Sequence, residues 1–291
     1  MKLATLNDGS RDGQLVVVSR DLGTAHHASA IATRLQQVLD DWNFLSPQLE
    51  DLSAALNAGK ARHAFPFDPR HCLAPLPRAY RWVAAADTAA TVPPLFERRS
   101  DALAGATEEL TLAQGEESID CCPMLVAVSG EIAAGASPTQ ALEGVRLLML
   151  AADWSLPAVE QDELAAGLGL LHGRPVTAFA PVAVTPDELG DAWHDGRVHL
   201  PLQLACNGRA LTAREGGADA GHDFGELLAE LARRQRLERG SLVGSSPLPG
   251  DDPQRRIRLR AGDVLRIELR TATGASVFGA IEQRVAAAPT S

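Results

Sequence analysis

Cys121 and Cys122 stand side by side near the middle of the chain. A thiolate is a strong nucleophile, and with an imidazole such as His172 as its base Cys122 could attack a carbonyl carbon. Adjacent residues of a strand point to opposite faces, however, so both thiols cannot easily serve one ligand. Packing as buried, apolar-like residues is the simpler expectation for the pair. Asp153 offers a carboxylate, but one carboxylate rarely holds a metal alone, and a solvated or capping role is the plainer expectation. His26 and His27, and the pair His194 and His199, are expected in surface turns, because their spacing is a weak metal signal.

These groups sit in a chain of ordinary globular composition. It has 291 residues, 45% hydrophobic and 22% charged, enough to bury a core without a disulfide or metal staple. The formal charge of −10 argues against a nucleic-acid partner, because phosphate binding needs clustered Lys and Arg. The run Arg233-Arg234-Gln235-Arg236 lies beside Glu230 and Glu238 and reads as a solvated helix face. The four cysteines show no CxxC spacing, the N-terminus has no apolar run like a signal peptide, and no membrane span is expected. A cytoplasmic location is therefore expected.

The elements that must position the candidates can be read coarsely. Met1 to Leu6 and Gly13 to Ser19 read as strands joined by a turn at Asn7-Asp8-Gly9. Ile31, Leu35, Val38, Leu39 and Trp42 repeat at helical spacing, and a second helix is expected from Pro47 to Gly59. Residues 64–80 are proline-rich and read as an extended linker. Residues 83–118 are Ala-rich and polar, with weak helix signals between Leu95 and Leu112; a mobile segment or a helical plug is expected there. Met124 to Val128 reads as a buried strand. Ser137 and Pro138 look like the start of a helix running through Leu142, Val145, Leu148 and Met149. Strands are expected at 176–184, 198–206, 264–269 and 276–285, with a helix at 224–237. Many strands and few helices imply an α+β chain.

Several segments resemble bacterial fumarylacetoacetate hydrolases. Met1 to Leu22 is similar to the start of that family's small N-terminal domain, and Cys72 to Ala79 to its interdomain linker. Gly135-Ala136-Ser137-Pro138 through Met149, Thr177 to Gly190 and Val277 to Val285 resemble later segments, in the family's order. The resemblance implies a fumarylacetoacetate hydrolase-like mixed β-roll with a small N-terminal α+β domain: residues 1–72, a Pro-rich linker at 73–82, and the hydrolase-like domain at 83–291. It also implies carbon–carbon bond hydrolysis of a β-diketo acid, with a divalent metal held by carboxylates, a His–Glu pair activating water and a Lys stabilising developing charge.

The residues expected at those positions differ. In Ile119-Asp120-Cys121-Cys122-Pro123-Met124, the resemblance sets Cys122 and Met124 where two metal-binding glutamates belong, and neither suits a hard cation. Asp153 keeps the place of a metal aspartate and is the only remnant ligand. Pro157 stands for an arginine, and His172 and Arg174 for a glutamine and the lysine. Residues 83–118 hold no histidine, Gly244-Ser245-Ser246-Pro247 replaces a substrate-binding Gly-Ser-Gly-Thr turn, and the stretch with the catalytic glutamate reads as deleted between Asp252 and Arg260. The expected protein thus lacks a metal or other cofactor and is non-catalytic, acting through binding as a homodimer or with an active paralogue. The alternative is a repurposed, metal-independent enzyme that cyclises, decarboxylates or tautomerises a keto or enol acid. In that reading Asp153, His172, Arg174 and Cys122 line the old pocket and Arg174 binds an anionic ligand. A retained hydrolase comes third.

Overall fold

The computed structural model describes residues 1–86, 90–167, 169–215, 221–248 and 257–288. The chain opens with β1 (Lys2–Leu6), β2 (Gln14–Val18) and β3 (Thr24–His27), an antiparallel meander. Asn7 Oδ1 accepts from Gly9 N at 3.0 Å and closes the first turn. α1 (Leu35–Asp40) and α2 (Trp42–Asn57) follow, and their apolar faces, Leu35, Val38, Leu39, Leu49 and Leu56, bury against the meander and the central sheet. α2 starts five residues earlier than the proline suggested; Pro47 lies inside it. β4 (Phe65–Pro66) pairs with β3, so His26 and His27 lie in a strand rather than a turn.

β5 (Trp82–Ala85), β6 (Leu95–Glu97) and β7 (Leu110–Thr111) occupy the segment expected to be mobile or a helical plug. The helical plug is corrected: strands form there instead. The segment's buried residues, Trp82 to Ala85, Leu103, Leu110 and Leu112, are spent on strand pairing and loop packing, and no helix forms there among the described residues. β8 (Ile119–Ser129) is buried at all eleven positions. α3 (Pro138–Leu142) begins at Ser137, whose Oγ accepts from Gln140 N at 3.3 Å while Gln140 returns the contact, but it ends within two turns. β9 (Val145–Ser155) then forms where the helix was expected to continue. The run from Val145 to Trp154 is apolar at nearly every position because this strand is covered on both faces, a pattern that periodicity alone cannot tell from a buried helix.

α4 (Pro157–Ala165), β10 (Val176–Phe179), β11 (Ala183–Val184), β12 (Trp193–His194), β13 (Arg197–Val198), β14 (Pro201–Cys206) and β15 (Arg209–Glu215) lead to α5 (Phe224–Leu231), capped by Asp223. α5 stops short of the basic run, whose Arg233 and Arg236 pair with Glu230 and Glu238 in the turn beyond. β16 (Leu242–Gly244), β17 (Ile257–Leu259), β18 (Val264–Leu269) and β19 (Ile281–Ala286) complete the chain. Among the described residues, twelve strands form one sheet along β4-β3-β2-β1-β11-β9-β8-β16-β5-β6, with β10 on β9 and β17 on β8. Five more form β15-β14-β18-β19-β7. Alternate residues of β8 and β9 feed two cores: Cys121, Leu125, Leu148 and Leu150 on one face, Cys122, Met124, Leu147 and Met149 on the other. The vicinal cysteines therefore do point apart. No described helix is long and apolar enough to cross a membrane.

Lys2 ties the first strand to the C-terminal segment. It is 4% exposed, and its Nζ donates to Val277 O at 2.7 Å and Ser276 O at 3.3 Å. Burial, partly offset by Glu188, lowers its pKa from 10.5 to about 8. Between those values the unfolded chain binds more protons than the folded one, so stability from this group rises with pH through that window and is flat below it. Replacing Lys2 by Met should remove a pH-dependent gain of about 3 kcal/mol. Denaturant midpoints of the two proteins from pH 7 to 11 check this; parallel profiles would contradict it.

Candidate functional site

Asp153 lies where three strands meet. β8 places Cys122 opposite it on one side, and β10 places Thr177 opposite it on the other. Asp153 is fully buried, not solvated or capping as its isolation in the sequence suggested. A carboxylate so enclosed must be paired and hydrogen-bonded. Thr177 Oγ1 donates to Oδ1 at 2.9 Å, and accepts from Trp82 Nε1 at 3.1 Å. Two guanidiniums converge on Oδ2: Arg98 Nε at 3.0 Å and Arg174 Nη1 at 2.8 Å. Arg174 Nη2 continues to Glu160 Oε1 at 2.9 Å. The result is a buried quartet, Asp153 and Glu160 against Arg98 and Arg174, with formal charges that cancel.

Each member is positioned by its own element. Arg98 follows β6, its N–H extends the ladder to Trp82 O at 2.8 Å, and its Nη1 donates to the carbonyls of Phe96 and Glu97, each at 3.3 Å. Glu160 lies on α4. One turn later Glu163 accepts from His172 N at 2.7 Å and Gly173 N at 2.9 Å, fixing the loop that carries Arg174. Burial works to raise the Glu163 pKa, but these N–H donors outweigh it and the net shift is downward. Gly173 is required by close approach: a Cβ there would lie 2.6 Å from Glu160 Cα. For Arg174, burial disfavours the charge, yet Asp153, Cys122 and Glu160 prevail and its pKa is raised. Arg174 Nε has no hydrogen-bond partner among the described residues.

The structure thus joins Asp153 and Arg174 directly and sets Cys122 beside them as a cross-strand neighbour, whereas His172 is exposed and contributes its backbone N–H. Cys121 faces the other core, and burial foremost pushes its thiol pKa well up, away from the thiolate that attack would need. Ser245 and Ser246 are also buried. Ser245 Oγ donates to Ser246 O at 2.7 Å and accepts from Leu125 N at 3.2 Å, so the backbone uses that hydroxyl. Gly244 packs so closely on Trp82 that a Cβ would meet its ring at 2.6 Å. Of the stretch from Asp252 to Arg260 where a deletion was expected, residues 252–256 lie outside the described residues and Ile257–Leu259 form β17. Sequence reasoning missed Arg98, Glu160, Thr177 and Trp82. The one available signal was the acid itself, since a carboxylate inside an apolar strand demands cations from elsewhere.

Five of the cavities among the described residues have walls that include none of Asp153, Arg98, Arg174 and Cys122. No group of three or more His, Cys, Asp or Glu side chains among the described residues is arranged to hold a metal ion. The positions beside Asp153 on β8 are the buried Cys122 and Met124, which are soft donors, and Asp153 itself is engaged at both oxygens. A divalent cation does not fit this donor set as it stands.

The profile of the fumarylacetoacetate (FAA) hydrolase C-terminal domain matches residues 75–286. The chain belongs to the fumarylacetoacetate hydrolase family. The profile of fumarylacetoacetase N-terminal domain 2 matches residues 1–78. Among solved structures, the chain is similar to a maleylpyruvate hydrolase from Sphingobium sp. SYK-6 in complex with manganese(II) and pyruvate, at 17% identity and TM-score 0.71, covering 99% of this chain and 100% of that one. It is also similar to a fumarylacetoacetate hydrolase from psychrophilic Exiguobacterium antarcticum, at 18% identity and TM-score 0.70 over 99% of each chain. A 2-hydroxyhepta-2,4-diene-1,7-dioate isomerase from Mycobacterium marinum matches at 17% identity and TM-score 0.69 over 100% of each. At these identities the likeness shows the fold. No curated protein matches the chain with significant sequence similarity.

Replacing Asp153 by Asn in this family member keeps the shape but leaves two buried guanidiniums facing Glu160 alone. Removing one partner of a buried pair costs about 3–5 kcal/mol. That corresponds to a fall in melting temperature of roughly 5–8 °C for a chain of this size. Thermal denaturation at pH 7 checks it; an unchanged midpoint would show that the quartet contributes little.

Proposed function

We propose that this chain is a non-catalytic member of the fumarylacetoacetate hydrolase family that acts through binding, with a second copy of itself or an active relative as its partner. The observation that carries the reading is the state of Asp153. It is the one carboxylate left at the positions where the family resemblance implies metal ligands, and both its oxygens are committed to Arg98, Arg174 and Thr177. The chemistry implied by that resemblance needs a hard cation with open coordination positions to hold the substrate oxygens. Here the cationic role is filled by guanidiniums. These stay protonated at any physiological pH, and so neither take up nor release a proton during a reaction. His172, the remaining imidazole near the quartet in sequence, is exposed rather than enclosed with Asp153.

The preserved surroundings support a binding role. Strands β8, β9 and β10 and the capped α3 keep the scaffold while the reactive groups are tied up. The test is a direct assay of purified chain, supplied with Mg²⁺ or Mn²⁺, on acylpyruvates and fumarylacetoacetate, with elemental analysis of the same sample. The expected result is no cleavage above the blank and no stoichiometric divalent metal. Robust metal-dependent cleavage, or about one divalent ion per chain as a hard-cation site would bind, would overturn the reading.

A further inference from the structure

At the other end of β9 from Asp153, the chain holds an arginine without a carboxylate partner. Arg146 lies about 23 Å from Asp153 at the usual rise of a strand. Its guanidinium rests on Gly130: a Cβ on that glycine would lie 2.8 Å from Nε and 3.1 Å from both Cζ and Nη2. Nη1 donates to Glu143 O at 2.9 Å, and Nε is buried without a hydrogen-bond partner. Among the described residues, Nη2 has no acceptor and no ion pair reaches the group. Arg146 lines a cavity of about 430 Å³ together with the loop from Glu131 to Ala136, Gln140 and Gly144. We propose that this cavity is a binding site for a small oxyanion, a phosphate or carboxylate group, with the Arg146 guanidinium as its principal donor.

A half-buried cation without a counterion is unfavourable, and an anion from solution supplies what the chain does not. Burial foremost, with Arg239 adding to it, lowers the Arg146 pKa, yet a guanidinium stays protonated and its charge stands uncompensated. Glu131 in the cavity wall does not neutralise it, because its carboxylate is held by Arg239 at 3.1 Å and by Arg236 at 3.8 Å. Glu143 is exposed, and it is its carbonyl that reaches Arg146. A second donor lies in the wall. Gln140 turns its Oε1 to Ser137 N at 3.0 Å and Ser137 Oγ at 3.1 Å, which leaves its Nε2 without an acceptor among the described residues. A planar guanidinium can hold two oxygens of one oxyanion at once, and phosphate and carboxylate share that geometry. The site makes no use of Asp153, so it and the non-catalytic reading can fail separately.

The experiment uses the full chain at pH 7 and constant ionic strength, with sodium phosphate in one arm and sodium succinate in the other. Melting temperature and heat of binding are followed as each anion is added. The native protein should show saturable binding of at least one of them, with a rise of about 4 °C at about a hundred times the dissociation constant. A response to phosphate alone assigns the site to a phosphoryl group and one to succinate alone to a carboxylate, while a response to both fits their shared geometry. Arg146→Gln should abolish the saturable part. The general stabilisation that phosphate gives by exclusion from protein surfaces remains in every variant and does not saturate. Arg70→Gln, which removes an exposed arginine paired with Asp68, should keep the native response. Should Arg146→Gln fail to fold, Arg146→Lys keeps the charge without the planar fork and should bind roughly tenfold more weakly. A native protein with no saturable response to either anion would overturn the proposal. So would a response that survives Arg146→Gln, one that Arg70→Gln abolishes, or native affinity in Arg146→Lys.

Discussion

A charged carboxylate at the centre of a sheet covered on both faces cannot be left to itself. Transfer of an isolated ion into such a setting is so unfavourable that either the acid is neutralised or cations come to it. Asp153 sits among Ala151, Met149, Cys122 and Met124 with no exposure, and the surrounding architecture answers that single demand. Two arginines reach it from opposite ends of the sequence around it, one 55 residues before and one 21 residues after.

Bringing Arg98 in depends on the β5–β6 hairpin, whose ladder ends at Arg98 itself, and on Trp82, which braces Thr177 from the same hairpin. Bringing Arg174 in depends on α4. Glu160 engages its outer Nη2, while Glu163 grips the backbone two residues before it. The site is therefore a junction among four elements, and its ion pairs tie the β5–β6 hairpin and α4 to the central strands. Arginine suits the role because its charge cannot be discharged and its planar fork binds two acceptors at once, as Arg174 does with Asp153 and Glu160.

How much of this was legible depended on whether the signal was local. The paired strands at the N-terminus, the helix start at Ser137-Pro138 and the later strands announce themselves through alternation, capping and turn residues within a few positions. Val145–Ser155 did not, because a strand buried on both faces loses its alternation and reads like a helix. Residues 83–118 misled for a related reason: their strands are short, and their packing partners β16 and β19 lie far away in sequence. Asp153 and Arg174 stood out through the family resemblance, but their partnership with Arg98 and Glu160 could not be read, since nothing in the sequence singles out one arginine among many as the one that closes on a given acid.

Two guanidinium groups close on Asp153 Oδ2 and occupy the space beside it. Crystals of the native protein grown with excess Mn²⁺, with diffraction recorded for anomalous scattering, test it most directly. The expected result is Arg98 and Arg174 in hydrogen-bond contact with Asp153 and no anomalous density beside that carboxylate. A manganese peak on Asp153, with either arginine swung away, would contradict it.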